Sequence, residues 1–387
     1  METIAVIFGG RSAEHDISII TAIASIIKPL ELTGKYRVEA VYIAKNGTWY
    51  WDDQLKDIEL YSSGKIQHFI DHTKPVSLCF KDGLTLVKYN ALGGHRQKKI
   101  DLVFPSMHGT YGEDGDLMGL LELTGVPYAG CGVSASAIAM NKVLSKQLAA
   151  ANGIPVAQYL SFSSDNIKYE LLPIVESIEK ELHYPLFVKP AHLGSSIGIS
   201  RVVNAKELTN GLEVAAHYDD TVLVEEAIQN LIEVTLPVIG NEKPQPALLE
   251  QPLHKTDKFF DFDTKYLRGG KKSQPAGSSK GAQGYSKIPA DLPKSLYDKA
   301  EKTGLAVYRA LGCSGIARVD MLIDSKTKKV YFNEVNPLPG SLSIHNWRQS
   351  GLSSVDLVEN LVELAKARFA KRHDLTTVFN TNFLQQF

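Results

Sequence analysis

The chain has little cysteine, almost no net charge and no long apolar run. Its three cysteines, Cys79, Cys131 and Cys313, are odd in number, widely separated and include no CxxC pair. That usage excludes a disulfide framework and a structural zinc site, and it suits a reducing compartment, so the cytoplasm is the expected location. Forty-two Lys and Arg against 43 Asp and Glu leave a formal charge of −1. No global basic field therefore exists to hold nucleic acid or an anionic membrane. No stretch approaches the roughly 18 uncharged apolar residues of a membrane span, so no membrane insertion is expected. The opening run lacks a basic leader and soon meets Arg11, Glu14, His15 and Asp16. It reads as a buried strand and not as a signal peptide.

Several nucleotide and catalytic motifs are also missing. There is no GxxxxGK[ST], HExxH, nucleophile elbow or kinase signature. Gly130-Cys-Gly-Val-Ser-Ala135 fits a dinucleotide pattern, yet no acid occurs from Cys131 to Ser164. The ribose-binding acid expected about 20 residues on is absent, which argues against a dehydrogenase.

What is present fits an α/β protein of two or three domains. The 387 residues are 44% hydrophobic and 22% charged, enough to fill substantial cores. Ile4–Phe8 is a continuous apolar run closed by Gly9-Gly10, as in a strand buried on both faces. A helix-compatible stretch, Ile17–Ile27, and a second strand, Val38–Ala44, follow; this β–α–β order implies parallel pairing. Residues 46–98 are irregular and polar, with hairpin-like pieces. Ile100–Phe104 reads as another buried strand, which delivers His108 into a loop. Helical spacing runs over Ser134–Asn152, and strands Pro185–Lys189 and Val222–Ile228 flank the Gly194–Gly198 turn. The glycine- and lysine-rich Arg268–Lys287 cannot form a packed core and suits a mobile surface loop. Strands Ile316–Ile323 and Val330–Val335 and a helix from Val355 to Phe369 complete the pattern before an appended tail.

Side chains alternate between the faces of a strand. Arg318 and Asp320 therefore share one face, as do Glu334 and Asn336. Two carboxylates and an amide oxygen are hard ligands of the kind Mg²⁺ takes beside substrate phosphates. An arginine among them can stabilise a transferring phosphoryl group or an oxyanion. Each alone is a commonplace solvated charge; Arg-x-Asp with Asn-Glu-x-Asn, followed by Pro337-x-Pro339-Gly340, reads as a metal–phosphate site. Lys189 ends an apolar strand, where a charge needs a partner. Lys142 reads, on its residues alone, as a surface lysine. The Gly194–Gly198 turn can present backbone N–H groups to phosphate, although a plain hairpin explains its glycines equally well.

These pieces together resemble the D-alanine–D-alanine ligase family over nearly the whole chain. The segments are Phe8-Gly-Gly-Arg-Ser-Ala-Glu14-His-Asp-Ile-Ser18, His108-Gly-Thr-Tyr-Gly-Glu-Asp-Gly115 and Gly130–Lys142. They continue with Lys189-Pro-Ala-His-Leu-Gly-Ser-Ser-Ile-Gly198, Val224-Glu-Glu226, Asp263-Thr-Lys-Tyr266, Arg318-Val-Asp320 and Asn333-Glu-Val-Asn336. The resemblance implies an N-terminal open parallel α/β domain over 1–130 and the two lobes of an ATP-grasp clamp. The central lobe would span 131–225 and the C-terminal lobe 226–387, with a long mobile loop at about 267–287.

The resemblance also implies roles. Lys142, Lys189, Ser196, Glu225 and Glu226 would surround ATP, with Glu233 on its ribose. Asp320, Glu334 and Asn336 would hold two Mg²⁺, for which Mn²⁺ can substitute. Arg318 and the Gly340 N–H would stabilise the oxyanion. Glu14 would receive the first D-alanine's ammonium beside His108, joined by Ser195 (or Ser196) and Tyr266. After Gly340 the family usually continues Met/Phe-Thr-Ser-x-Ser, and this part receives the second D-alanine. Here it reads Ser341-Leu-Ser-Ile-His345-Asn346-Trp347, which opens D-serine, D-lactate or another amino acid as acceptor. Lys265-Tyr266 speaks against D-lactate, since the family's ester-forming members carry a different loop there. A homodimer is implied as well. A different carboxylate–amine ligase is a further alternative, and so is an ATP-binding regulator without catalysis, opposed by the full set Glu14, Arg318, Asp320, Glu334 and Asn336.

Overall fold

The computed structural model of the protein describes residues 1–90, 94–253, 279–281, 284–377 and 381–387. Strand Glu2–Gly9 lies between Tyr36–Ile43 and Leu102–Pro105 and is parallel to both; Trp49–Trp51 closes the edge antiparallel to Tyr36–Ile43. The apolar run of the first strand serves two cores. Ile4, Val6 and Phe8 pack with Ile19, Ile23 and Leu361, whereas Ala5 and Ile7 pack with Trp51, Leu86 and Leu117. A strand buried on both faces has no polar side to alternate with.

The expected helix at Ile17–Ile27 is longer. It starts at His15, passes through a π-helical Thr21–Ile27 and ends with Lys28–Leu32. Such wide turns concentrate at functional sites, and this one carries Thr21, which reaches the candidate site. The expected strand Ile100–Phe104 is split at Asp101, whose carboxylate accepts from Thr3 N at 2.8 Å. The polar region before it contains a three-stranded antiparallel sheet of Ser77–Cys79, Leu84–Tyr89 and His95–Ile100. Its Leu84, Leu86 and Ile100 complete the second core.

Two further antiparallel sheets follow. The central one is ordered Ser200–Val202, Leu186–Pro190, Thr221–Glu226, Tyr159–Ser163, and helices Leu171–Glu181 and Ala205–Tyr218 fill its apolar face. The C-terminal one is ordered Gln245–Pro246, Leu231–Ile239, Ile316–Asp324, Lys329–Asn336, with helix Lys294–Ala310 behind it.

Three boundaries differ from the sequence reading. The span Ser134–Asn152 is two helices, Val133–Ala139 and Lys142–Ala151, because the Asn141 side chain accepts from Val143 N and Leu144 N at 3.0 and 2.9 Å. An asparagine cap offers the backbone an alternative to continuing the helix. Within Arg268–Lys287, Ser279–Gly281 and Gly284–Lys287 form strands with Gln251–Pro252; the rest of that expected loop lies outside the described residues. The long C-terminal helix runs from Ser354 to His373, with Ser353 as its cap, and buries Leu357, Val358, Leu361 and Val362 in the first core, where it packs on helix Lys28–Leu32. No helix among the described residues is long and apolar enough to cross a membrane.

Candidate active site

Antiparallel pairing assembles the metal–phosphate candidates. Arg318 lies opposite Asn336 and Asp320 opposite Glu334, with a register shift just after Asp320. Directly opposed residues share a face, so all four side chains gather on one side of the two strands. The Arg318 guanidinium donates to both Asp320 oxygens at 2.7 Å, and Asn336 Nδ2 donates to Asp320 Oδ2 at 3.2 Å. Burial opposes the charge on Arg318, but the Asp320 carboxylate outweighs it and holds the arginine more firmly protonated than usual. The donor set of Asp320, Glu334 and the Asn336 amide is all oxygen, which fits a hard divalent cation.

The lysines come from helix Lys142–Ala151 and strand Leu186–Pro190. Lys142 is buried, contrary to the surface position its residues alone suggested, because Asn141 caps the helix and turns its first residue inward. Its Nζ donates to Leu193 O at 2.5 Å and lies 3.8 Å from Glu334 Oε2. Burial lowers its pKa. Lys189 pairs with Glu225 and lies 3.5 Å from Asn333 Oδ1. Sequence reasoning missed Lys146, whose side chain is 1% exposed and whose Nζ sits 2.8 Å from Glu225 Oε2. The available signal was its spacing, since a residue four after Lys142 on one helix shares its face. Burial pushes the Glu225 pKa up, yet Lys146 and Lys189 overcome this and hold it at about 2. Glu226 instead accepts from His183 N at 2.9 Å. Glu233, half-buried on Leu231–Ile239, adds to the negative charge that acts on Lys189.

The N-terminal domain supplies the third side. Ser195 Oγ donates to Glu14, 181 positions away along the chain. Ser195 and Ser196 both sit at left-handed φ, 51° and 60°, a backbone state that costs non-glycine residues about 1–2 kcal/mol each. Glycine surrounds the carboxylate: a Cβ on Gly194 or Gly109 would approach Glu14 Oε2 to 3.0 or 3.1 Å. His108 is buried, bonds Thr21 Oγ1 at 3.0 Å, and has its pKa lowered by that burial. Glu113 belongs to the His108–Gly115 segment, although the resemblance assigned it no role, and it accepts from Gly109 N and Leu338 N at 3.1 Å. Burial, with the Glu14 charge nearby, raises its pKa to about 8.

Gly340 opens a turn in which Ser341, Leu342 and Ser343 are all left-handed, and Ser341 N donates to Thr21 Oγ1 at 3.0 Å. Thr21 thus ties His108 to the segment after Gly340. His345 Nε2 is 2.9 Å from Glu250 Oε2. Burial alone would raise the Glu250 pKa, but His345 beside it keeps it below the usual range. Asn346 is fully buried and its Nδ2 donates to Leu248 O at 3.3 Å. Lys265 and Tyr266 lie outside the described residues.

A narrow cleft joins the three parts and is lined by Glu14, Glu113, Lys142, Gly194, Glu334 and Asn336. Two antiparallel sheets that face each other across buried lysines and carboxylates, beside a parallel α/β domain, define an ATP-grasp ligase fold. Family models described as the N-terminus and C-terminus of D-ala D-ala ligase match residues 3–131 and 148–363. The chain belongs to the D-alanine–D-alanine ligase family. It is 38% identical over 381 residues to the D-alanine–D-alanine ligase of Acetivibrio thermocellus, covering 95% of this chain and 96% of that one. Among solved structures, the D-alanine–D-alanine ligase of Coxiella burnetii superposes with a TM-score of 0.76 at 29% identity, over 96% and 97% of the two chains. The VanG D-Ala:D-Ser ligase of Enterococcus faecalis also gives 0.76, at 32% identity over 94% and 99%.

Proposed function

We propose that this enzyme joins two D-alanines to D-alanyl-D-alanine at the expense of ATP, through an acyl phosphate, for peptidoglycan precursor synthesis. The observation that carries this reading is the single cleft in which Glu14, Lys142, Glu334 and Asn336 meet. Glu14, steadied by Ser195, receives the ammonium group of the first D-alanine and so aims that substrate's carboxylate at the γ-phosphate, whose transfer releases ADP. Lys142 and Lys189 bind the phosphates, with Ser196, Glu226 and Glu233 on the rest of the nucleotide and Glu225 keeping Lys189 charged. Asp320, Glu334 and Asn336 would hold Mg²⁺, which when bound would neutralise phosphate charge. Attack by the deprotonated second amine on the acyl carbonyl builds an oxyanion, which Arg318 with the Gly340 N–H stabilises and which collapses to the amide with loss of inorganic phosphate and a proton. Loss of one such donor costs about 10²–10³ in rate. Tyr266 and Lys265 are assigned to the first-substrate side by the family resemblance alone.

A second reading concerns the acceptor alone. Where the family pattern ends in hydroxyls, this chain places a Glu250-held His345 and the buried Asn346, which supports D-serine as a competing acceptor. The enzyme acts in the cytoplasm and as a homodimer in this proposal. ADP release with and without D-alanine, with product mass analysis, tests it. D-alanine-dependent ADP with D-alanyl-D-alanine, abolished by EDTA and restored by Mg²⁺, is the expected result. ATP binding without D-alanine-dependent turnover would overturn it.

A further inference from the structure

His192 lies at the base of the Gly194–Gly198 turn, and neither composition nor the site described above gives it a role. Its Nδ1 is 2.8 Å from Asp219 Oδ1, and its backbone N donates to Asp219 Oδ2 at 2.6 Å. On the other side of the ring, Nε2 is 2.9 Å from Asn141 Nδ2. The Asn141 amide cannot be turned round, because its Oδ1 already accepts from Val143 N and Leu144 N. Its NH₂ group therefore donates to His192 Nε2, which must be the unprotonated nitrogen, and Nδ1–H donates to Asp219. The flanking backbone is fixed to the same helix: Lys142 N donates to Ala191 O at 3.0 Å and Lys142 Nζ to Leu193 O at 2.5 Å.

We propose that His192, as the neutral imidazole, is a positioning residue that clasps the capped start of the Lys142 helix to the loop carrying Ser195. This rests on the ligase reading above. With the clasp closed, Lys142 on the phosphate side and Ser195 beside Glu14 keep a fixed separation. Protonation at Nε2 sets an N–H against the Asn141 NH₂ and opens the clasp. The charged groups facing the ring are Asp219 and Asp220 at the end of helix Ala205–Tyr218, and Lys142 from the capped helix. Hydrogen bonding to Asp219 raises the imidazole pKa, whereas the Asn141 bond to Nε2 favours the neutral ring, so the clasp holds on the alkaline side and opens on acidification. His192, Asp219 and Asp220 also present atoms within 4.8 Å of one another, as a cation site would. Both ring nitrogens are already engaged, however, so the hydrogen-bonded relay accounts for the cluster.

The test compares wild type, His192→Ala and Asn141→Asp, reading the ATP dissociation constant by calorimetry and the KM values for ATP and the first D-alanine against pH. Aspartate caps helices as well as asparagine does, and thermal melts report folding of each variant. In wild type, ATP binding and both KM values worsen on the acid side. His192→Ala shows values raised about tenfold, the scale of one or two lost hydrogen bonds, at every pH and without that limb. Asn141→Asp accepts from the imidazolium, so its limb moves to the alkaline side. Retention of the wild-type acid limb in Asn141→Asp, or values within about twofold in His192→Ala, would overturn the proposal. Absence of D-alanyl-D-alanine in wild type would instead overturn the ligase reading, while the pH course of ATP binding would still decide the role of His192.

Discussion

Replacing Glu225 by glutamine tests the buried charge arrangement most sharply. The carboxylate is 2% exposed and lies between Lys146, at 2.8 Å, and Lys189. A unit pair at that distance attracts by about 6 kcal/mol gross at an effective dielectric of about 20, and desolvation of both ions offsets much of it. Removing one partner of a buried pair typically costs about 3–5 kcal/mol, because the other charge is left uncompensated. Glutamine keeps the volume, so the loss is electrostatic and not a cavity. In a unit of about 150–250 residues this lowers the melting temperature by on the order of 10 °C. Without Glu225, desolvation drives the lysines toward the neutral form, so ATP binding weakens as well. Calorimetric melts and ATP titrations read both effects. Adding Lys146→Met to Glu225→Gln recovers at least about 1 kcal/mol, a non-additivity expected of charges in contact. The sign with pH follows from the depressed pKa. Glu225 stabilises the fold above the ordinary glutamate range, and this share disappears as the pH falls through about 2, so the variant and wild type converge on acidification. A variant that melts within about 1 °C of wild type, a shift far below the one expected, and binds ATP equally well would sink this account of the three residues.

Other parts of the site carry expectations of their own. Arg318→Lys keeps a positive charge but loses the two-pronged contact with Asp320, so kcat falls by about 10²–10³ in a steady-state assay. Glu113 has its pKa raised to about 8, so the folded state holds a proton that the unfolded chain releases above the usual glutamate range. Its contribution is fully present below that range and is lost as the pH rises through about 8; Glu113→Gln flattens this decline, which denaturant titrations between about pH 5 and 8 would detect. His345→Ser frees Glu250 from its partner and restores a hydroxyl after Gly340. In a competition between D-alanine and D-serine, the product ratio is expected to shift by about tenfold, the scale of one hydrogen bond made or lost. An unchanged ratio would show that this segment does not select the acceptor.

Strand chemistry is the part of this protein most legible along the chain. Arg318 with Asp320, and Glu334 with Asn336, follow from the two-residue period of a strand, and the apolar run Ile4–Phe8 announces a strand buried on both faces. The family segments likewise single out Glu14, Lys189 and Ser195 for the candidate site. The helix break at Asn141 was harder to see, because the apolar spacing of Ser134–Asn152 continues through it and only the cap geometry marks the new start.

Backbone periodicity is local, so the order of residues settles which side chains share a face within one element. The meetings between elements are a matter of tertiary packing. That packing sets Asp320 against Glu334, places Lys146 and Lys189 on one carboxylate, and brings Ser195 to Glu14 across 181 positions of chain. It also selects which charges are buried. Lys142 and Lys146 look like ordinary surface lysines along the chain, and only the packing of the helix against the central and C-terminal sheets removes them from water. Spacing puts Lys146 on the same helix face as Lys142, but whether that face with its two charges is buried depends on what surrounds it in space.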